Sequence, residues 1–374
     1  MTKVTIVLGC LGTHGPSLVR AQLATEMIRR GVTVDIVLGQ DPFMLAPSLF
    51  PNCSVQVLGT QRPRHFIGKL MAHLKKARPD GVLASSWPFS VATILAVHLY
   101  NPKLPVVISE HSDFRSGLKS SSEFTNKDKF LLRYVAKYIY NRANRIVGVS
   151  QGVLDGLVDK VGVSRRNMTV ISNPARRFTS EPAEKPEESQ RLERFWAQGA
   201  LKLLAVGRLV PEKDYGTMIK AVSILKTKLN IKLVIVGSGH MREALESQIN
   251  HLGLEQNVML AGQSNTMSHY YGKADLFLLS SSCEGFGNVL VEALSFGLPI
   301  VSTDCKSGPS EILANGKYGF LTPVGDAVAF AKGVEKALAT SIDPKAQKSR
   351  AAHFSIETAT DRYLSALFSK SSEI

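Results

Sequence analysis

The sequence predicts an α/β protein made of two doubly wound, Rossmann-like domains, each a parallel sheet wrapped by helices. Three observations carry this. Short apolar runs without polar alternation recur along the chain, which is the pattern of strands buried on both faces. Segments with helical apolar spacing alternate with them. A polar stretch with little periodicity, Arg176–Gly199 (containing EPAEKPEESQ), divides the 374 residues into two parts of ordinary domain size. The expected layout is a first domain over 1–175, a linker over 176–199, a second domain over 200–352 and a closing segment over 353–374.

The chain opens on a strand pattern, Val4–Leu8. A turn holding Gly12 and Gly15 follows, then a helix over Ser17–Arg30 stopped by Gly31, and a second strand over Val32–Leu38. Glycines in the first turn fit any doubly wound domain. Arg62–Arg78 (RPRHFIGKLMAHLKKAR) is an amphipathic helix with Phe66, Ile67, Leu70, Met71 and Leu74 on one face. That face reads as core. The cations Arg62, Arg64, Lys69, Lys75, Lys76 and Arg78 suit contact with anionic lipid headgroups.

Strands over Gly81–Ala84 and Val106–Ser109 end in Ser85-Ser86-Trp87 and Glu110-His111-Ser112-Asp113. Ligands sit at strand carboxyl ends in open α/β sheets, so His111 is a candidate site residue as well as a candidate structural one. Phe114–Asn144 is long, basic and aromatic, with Arg133 and Lys137 among its cations. Ile146–Ser150 and Val170–Ser172 complete the first domain's strands.

The second domain begins with a strand over Lys202–Val206, followed by Gly207-Arg208 and, five residues on, Lys213. Two cations after a strand can hold a diphosphate from two sides, or can be surface charge at a turn. Leu233–Val236 ends in Gly237, and Val258–Ala261 in Gly262-Gln263. A helix over Ser355–Phe368 closes the chain.

Ala274–Pro299 (ADLFLLSSSCEGFGNVLVEALSFGLP) reads as strand, glycine loop and helix. Gly285 and Gly287 let backbone approach a ligand, and the helix opening at Asn288-Val289 offers N–H groups to an anion. Glu284 precedes the loop, and Glu292 lies one turn into the helix on the face of Asn288. Carboxylates on both sides of an anion cradle suit a diphosphate between two hydroxyl-rich sugars. Read singly, Glu284 could cap the helix and Glu292 could be a solvated acid.

SSCEGFGNVLVEALSFGLPIVSTD resembles the donor-site signature of the retaining glycosyltransferases of family 4. The resemblance implies the GT-B fold, two facing Rossmann-like domains with the active site in the cleft between them, and a closing helix that crosses back to the first domain. It implies that Glu284 touches the donor sugar, that Gly285, Phe286, Gly287, Asn288 and Val289 line sugar and phosphate, and that Glu292 holds the ribose. Arg208 and Lys213 take the pyrophosphate. Gly237 and Gln263 lie toward the nucleotide. His111 lies against sugar and phosphate. Gly12 and Gly15 replace the family's usual Gly-Gly doublet, with Thr13-His14 between them. The match is close over 200–325 and looser over 1–175, where the family recognises acceptors.

The implied reaction is metal-independent transfer from a nucleotide-sugar, with a UDP-sugar favoured, to a lipid-linked or other glycan acceptor. No Asp-x-Asp occurs, and no metal site or cofactor is expected. A nucleotide-sugar epimerase on the same scaffold is the alternative enzyme. A donor-binding sensor without catalysis is opposed by the intact acid and base pairs.

Composition narrows the rest. The net charge is +14, with 22 Lys+Arg against 10 Asp+Glu in 1–175 and 23 against 21 in 176–374. A basic first half points to an anionic membrane surface. A basic nucleic-acid-binding protein is the alternative of a different class, suggested by the charge alone, but no binding motif accompanies it and a nucleic-acid partner is not expected. Cys10, Cys53, Cys283 and Cys305 are scattered, which suits reduced thiols in the cytoplasm. With no apolar run long enough to span a bilayer, the expected location is peripheral, on the inner face of the cytoplasmic membrane.

Overall fold

The computed structural model describes residues 1–12, 15–60, 63–85, 87–112, 137–178, 186–196 and 199–369. They form two compact units, Met1–Pro174 with Ser355–Ile374, and Ala175–Phe354.

Unit 1 holds β1 (Lys3–Cys10), β2 (Thr33–Gln40), β3 (Ser54–Val57), β4 (Gly81–Ser85), β5 (Val106–Glu110), β6 (Arg145–Gly148) and β7 (Met168–Val170). The sheet order is β3-β2-β1-β4-β5-β6-β7 and every pairing is parallel. The order reverses between β1 and β4, so their carboxyl ends, with that of β5 beside them, mark the crevice where such sheets bind ligands. Helix Pro63–Ala77 buries Phe66, Leu70 and Leu74 completely, each a gain of about 1.5–3 kcal/mol over leaving it exposed. Its apolar face therefore belongs to the core, and only its polar face, with Lys75 and Lys76 exposed, is open to a partner. Lys69 is also exposed, but its ammonium donates to the Leu58 carbonyl at 2.6 Å. Helix Ile356–Phe368 completes the opposite layer, where it packs beside helix Gly15–Arg29 and over β4 and β5, with Ile356, Ala359, Tyr363, Ala366 and Leu367 buried.

Unit 2 holds β8 (Leu201–Val206), β9 (Ile231–Val236), β10 (Val258–Gly262), β11 (Leu276–Leu279), β12 (Ile300–Thr303) and β13 (Phe320–Thr322). They lie in the order β10-β9-β8-β11-β12-β13, again all parallel. Here the reversal falls between β8 and β11, whose register pairs Leu203 with Leu276. The stretch expected as a linker is more than a connector. Pro186–Phe195 is a helix, and Leu192 and Trp196, one turn apart, are buried. Trp196 Nε1 donates to the Lys232 carbonyl on β9 at 3.1 Å. Charge on the other helix face hid this two-residue anchor in the sequence. The last strand of unit 1 also sits two residues earlier than the sequence suggested, at Met168–Val170.

Among the described residues no helix is long and apolar enough to cross a membrane.

Candidate functional site

The turn after β8 is built to present a lysine. Pro211–Lys213 makes one 3-10 turn, and Asp214, at φ 43°, caps the helix Tyr215–Leu225 by accepting from the Thr217 amide and, at 2.7 Å, from its hydroxyl. Lys213 Nζ then reaches Glu284 Oε1 at 2.5 Å. Glu284 also accepts from Ser281 Oγ at 2.7 Å. The helix Asn288–Phe296 has Gly287 at its N-cap, and Glu284 pairs with Lys213. The two groups come from turns after β8 and β11, adjacent strands at the reversal. Lys213 has three donors, and the Glu284 pair uses one.

The glycine loop is held from behind. Thr303 Oγ1, at the end of β12, donates to the Ser281 carbonyl at 2.6 Å, and Ser280 Oγ donates to the Lys213 carbonyl at 2.8 Å. Gly308, at φ 93°, passes so close that a Cβ would stand 1.7 Å from the Phe286 carbonyl oxygen. Phe286 is buried and packs edge-on against Phe354, centroids 5.6 Å apart. Gly287, at φ 101°, turns the backbone into the helix, a conformation that strains a side chain. On the neighbouring strands, a Cβ on Gly237 would lie 1.9 Å from the Gly207 carbonyl oxygen. Close backbone approach thus explains Gly237.

Glu292 accepts from Tyr271 OH at 2.8 Å. Tyr271 is fully buried and stacks on Phe296 at 5.3 Å, and burial, with Glu292 beside it, raises its phenol well above the usual range. Burial, with Glu284 nearby, likewise pushes the Tyr215 phenol up and the Cys305 thiol up to about 12. Arg208 and Gln263 are exposed after β8 and β10. Unit 2 thus brings together Lys213, Glu284 and the glycine loop, with Glu292 on the first turns of the helix that follows. The sequence reading missed Tyr271, whose only signal is that it is the second of two adjacent tyrosines in a short helix, Met267–Lys273.

In unit 1, Gly12 N donates to Ser17 Oγ at 3.1 Å, and among the described residues nothing lies within 4 Å of where its Cβ would be. Gly15 opens the helix Gly15–Arg29, two residues before the expected start. His111 follows β5. Its Nε2 lies 2.7 Å from Arg20 Nη2 and 3.2 Å from Ser109 Oγ. Burial, then the Arg20 charge, lowers its pKa well below the ordinary histidine value. Adjacent Glu110 is buried, accepts from Tyr140 OH at 2.7 Å, and has its carboxyl pKa raised by burial. Arg20 was missed, although its signal is plain in retrospect. It stands at the head of the stripe Arg20, Leu23, Ala24, Met27, whose i, i+3, i+4, i+7 spacing is that of a core face, and all four are buried.

Arg62 lies outside the described residues, and the Arg64 side chain is not described. Most of the basic aromatic stretch, including Arg133, also lies outside them. Lys137 is described and exposed. Among the described residues no group of three or more His, Cys, Asp or Glu side chains is placed to hold a metal ion.

Residues 187–354 match the family described as Glycosyl transferases group 1, and residues 15–176 match Glycosyltransferase Family 4. The chain belongs to these glycosyltransferases. It is similar to the N-acetylgalactosamine-N,N'-diacetylbacillosaminyl-diphospho-undecaprenol 4-alpha-N-acetylgalactosaminyltransferase of Campylobacter jejuni, 30% identical over 60% of this chain and 59% of that one. It is also similar to the amylovoran biosynthesis glycosyltransferase AmsD of Erwinia amylovora, 26% identical over 67% of this chain and 66% of that one. The chain thus matches less than two thirds of the length of either relative. Among solved structures, Anabaena HepE in complex with UDP superposes with a TM-score of 0.80 at 20% identity, covering 98% of this chain and 99% of that one. This likeness gives the glycosyltransferase its fold, GT-B, over the whole chain.

Proposed function

We propose that this glycosyltransferase moves a sugar from a UDP-sugar to a lipid-linked glycan acceptor, with retention of configuration and without a metal ion. The observation that carries the reading is the Lys213–Glu284 pair at the reversal of the unit 2 sheet, next to a glycine loop that opens a helix. Lys213, Arg208 and the helix N–H groups neutralise the diphosphate as it leaves. Glu292, oriented by Tyr271, accepts from ribose hydroxyls, and Glu284 faces the sugar. His111 serves as a neutral hydrogen-bond donor, because its lowered pKa keeps it uncharged near pH 7.

The bond from the anomeric carbon to the diphosphate oxygen breaks. The acceptor hydroxyl oxygen bonds to that carbon on the same face, and its proton passes to a donor phosphate oxygen. The UDP assignment is supported by the UDP complex of HepE, and the lipid-linked acceptor by the diphospho-undecaprenol named in the C. jejuni relative. The membrane arm is supported by the basic first half, by exposed Lys75 and Lys76, and by Phe43 and Met44, 66% and 85% exposed in the loop after β2.

The test is a thermal-shift screen of UDP-, GDP- and ADP-sugars, then transfer to an undecaprenyl diphosphate-linked sugar, with the new linkage read by NMR. Stabilisation by UDP and UDP-sugars, and product with the donor's anomeric configuration, are expected. Inverted product removes the retaining reading. Donor turnover to an epimer without acceptor replaces transfer by epimerisation.

A further inference from the structure

We propose that Arg20 is a positioning residue that locks His111 as a neutral imidazole with its proton on Nδ1. A guanidinium can only donate, and it keeps its charge in a protein. Arg20 Nη2 lies 2.7 Å from His111 Nε2, so Nε2 must offer its lone pair, and the ring proton must sit on the other nitrogen. The neighbouring hydroxyls agree. Tyr363 OH accepts from Arg20 Nη2 at 3.3 Å and lies 2.8 Å from Ser109 Oγ, which lies 3.2 Å from His111 Nε2. Both hydroxyls can donate or accept, so they adapt to the tautomer that the Arg20 donor imposes.

Arg20 is fully buried, and its guanidinium carbon sits 4.9 Å from the Tyr363 ring centroid. Among the described residues no carboxylate pairs with it. Glu110, next to His111 in sequence, instead accepts from Tyr140 OH and, at 3.3 Å, from the Trp87 amide. A second proton on His111 would place two cations in contact in a buried site, which strongly disfavours the imidazolium. His111 Nδ1 is buried and has no hydrogen-bond partner among the described residues. It is an N–H that no described group accepts. What that N–H binds rests on the transfer reading above, whereas the tautomer does not.

The test is long-range 1H–15N correlation on the full chain labelled with 15N-histidine. His111 is assigned among the nine histidines by the signal lost in His111→Asn. The expected pattern is Nδ1 protonated, Nε2 bare, and no change from about pH 8 to about pH 5. Arg20→Met should let His111 populate both tautomers, while burial still holds its pKa down. Arg20→Lys, which keeps a charged donor, should retain much of the lock. Wild-type His111 protonated on Nε2, or titrating as a free imidazole, overturns the proposal, and this result needs no variant to fold. An unchanged pattern in folded Arg20→Met overturns it as well. Full transfer activity in His111→Ala, with the Nδ1–H tautomer confirmed, would instead remove the role of His111 toward the sugar and leave the lock standing.

Discussion

Replacing Lys213 by methionine separates what the lysine does for the fold from what it does for the ligand. In the free protein it neutralises Glu284, with side-chain exposures of 17% and 10%. Without the ammonium, Glu284 still accepts from Ser281 Oγ. Breaking a buried pair costs about 3–5 kcal/mol, and breaking an exposed one about 0–1. Partial exposure and the remaining hydroxyl place this case near 2 kcal/mol, which lowers the melting point by roughly 4–8 °C for a domain of this size. Lys213→Met/Glu284→Gln removes the stranded charge and should regain most of that loss. It cannot regain the diphosphate contact. A hydrogen bond between charged groups contributes about 1.5–3 kcal/mol, so both variants should bind UDP roughly 10- to 150-fold more weakly. Glu284→Gln alone frees the ammonium and should bind UDP at least as well as wild type. Differential scanning fluorimetry and titration calorimetry on the three variants decide it. Wild-type UDP affinity in the double variant would refute the assignment of Lys213 to the diphosphate.

Tyr271→Phe removes the hydroxyl that orients Glu292 and should weaken UDP binding by roughly 10-fold with the fold intact, since the ring stays stacked on Phe296; calorimetry with UDP and UMP checks it. Gly308→Ala must push its methyl against the Phe286 carbonyl, a clash plus a positive φ that should cost about 2 kcal/mol or more and be seen as a lower denaturation midpoint. Lys75→Glu/Lys76→Glu should reduce co-sedimentation with anionic vesicles at low salt and leave neutral vesicles unaffected; equal binding to both vesicle types by wild type would remove the membrane reading. Glu26 is held down to about 2, chiefly by its hydrogen bond from Arg29 and also by Arg30. A lowered folded pKa gives stability that is full above the unfolded value of 4.5 and lost as pH falls toward 2, so Glu26→Gln should flatten the acid limb of a stability–pH curve in that window.

The two-sheet architecture was legible because its central strands are continuous apolar runs ending in glycine turns. The edges were not. β3 (SVQV) has mostly exposed residues and β13 is three residues long, so neither carries an apolar run that periodicity can detect. The donor-loop carboxylates and the cations after β8 were readable because their spacing is local. Their supports were unreadable for the opposite reason. Tyr271 and Glu292 are 21 residues apart, Arg20 and His111 are 91, and Ser109 and Tyr363 are 254. Such pairs exist only after the sheet order brings distant strand ends together.

That last separation bears on how the chain is made. Residues 175–354 are continuous, while the unit around them needs both Met1–Pro174 and Ser355–Ile374. On a ribosome the second domain can fold as it emerges, but the first stays without a core helix until Ile356–Phe368 has been made. At about 5–20 residues per second, that is a delay of roughly 10–40 s after residue 174 appears. During it, the faces of β4 and β5 that Leu367 and Tyr363 later cover are open to water. A nonsense mutation within Ile356–Phe368 would therefore damage the domain made first.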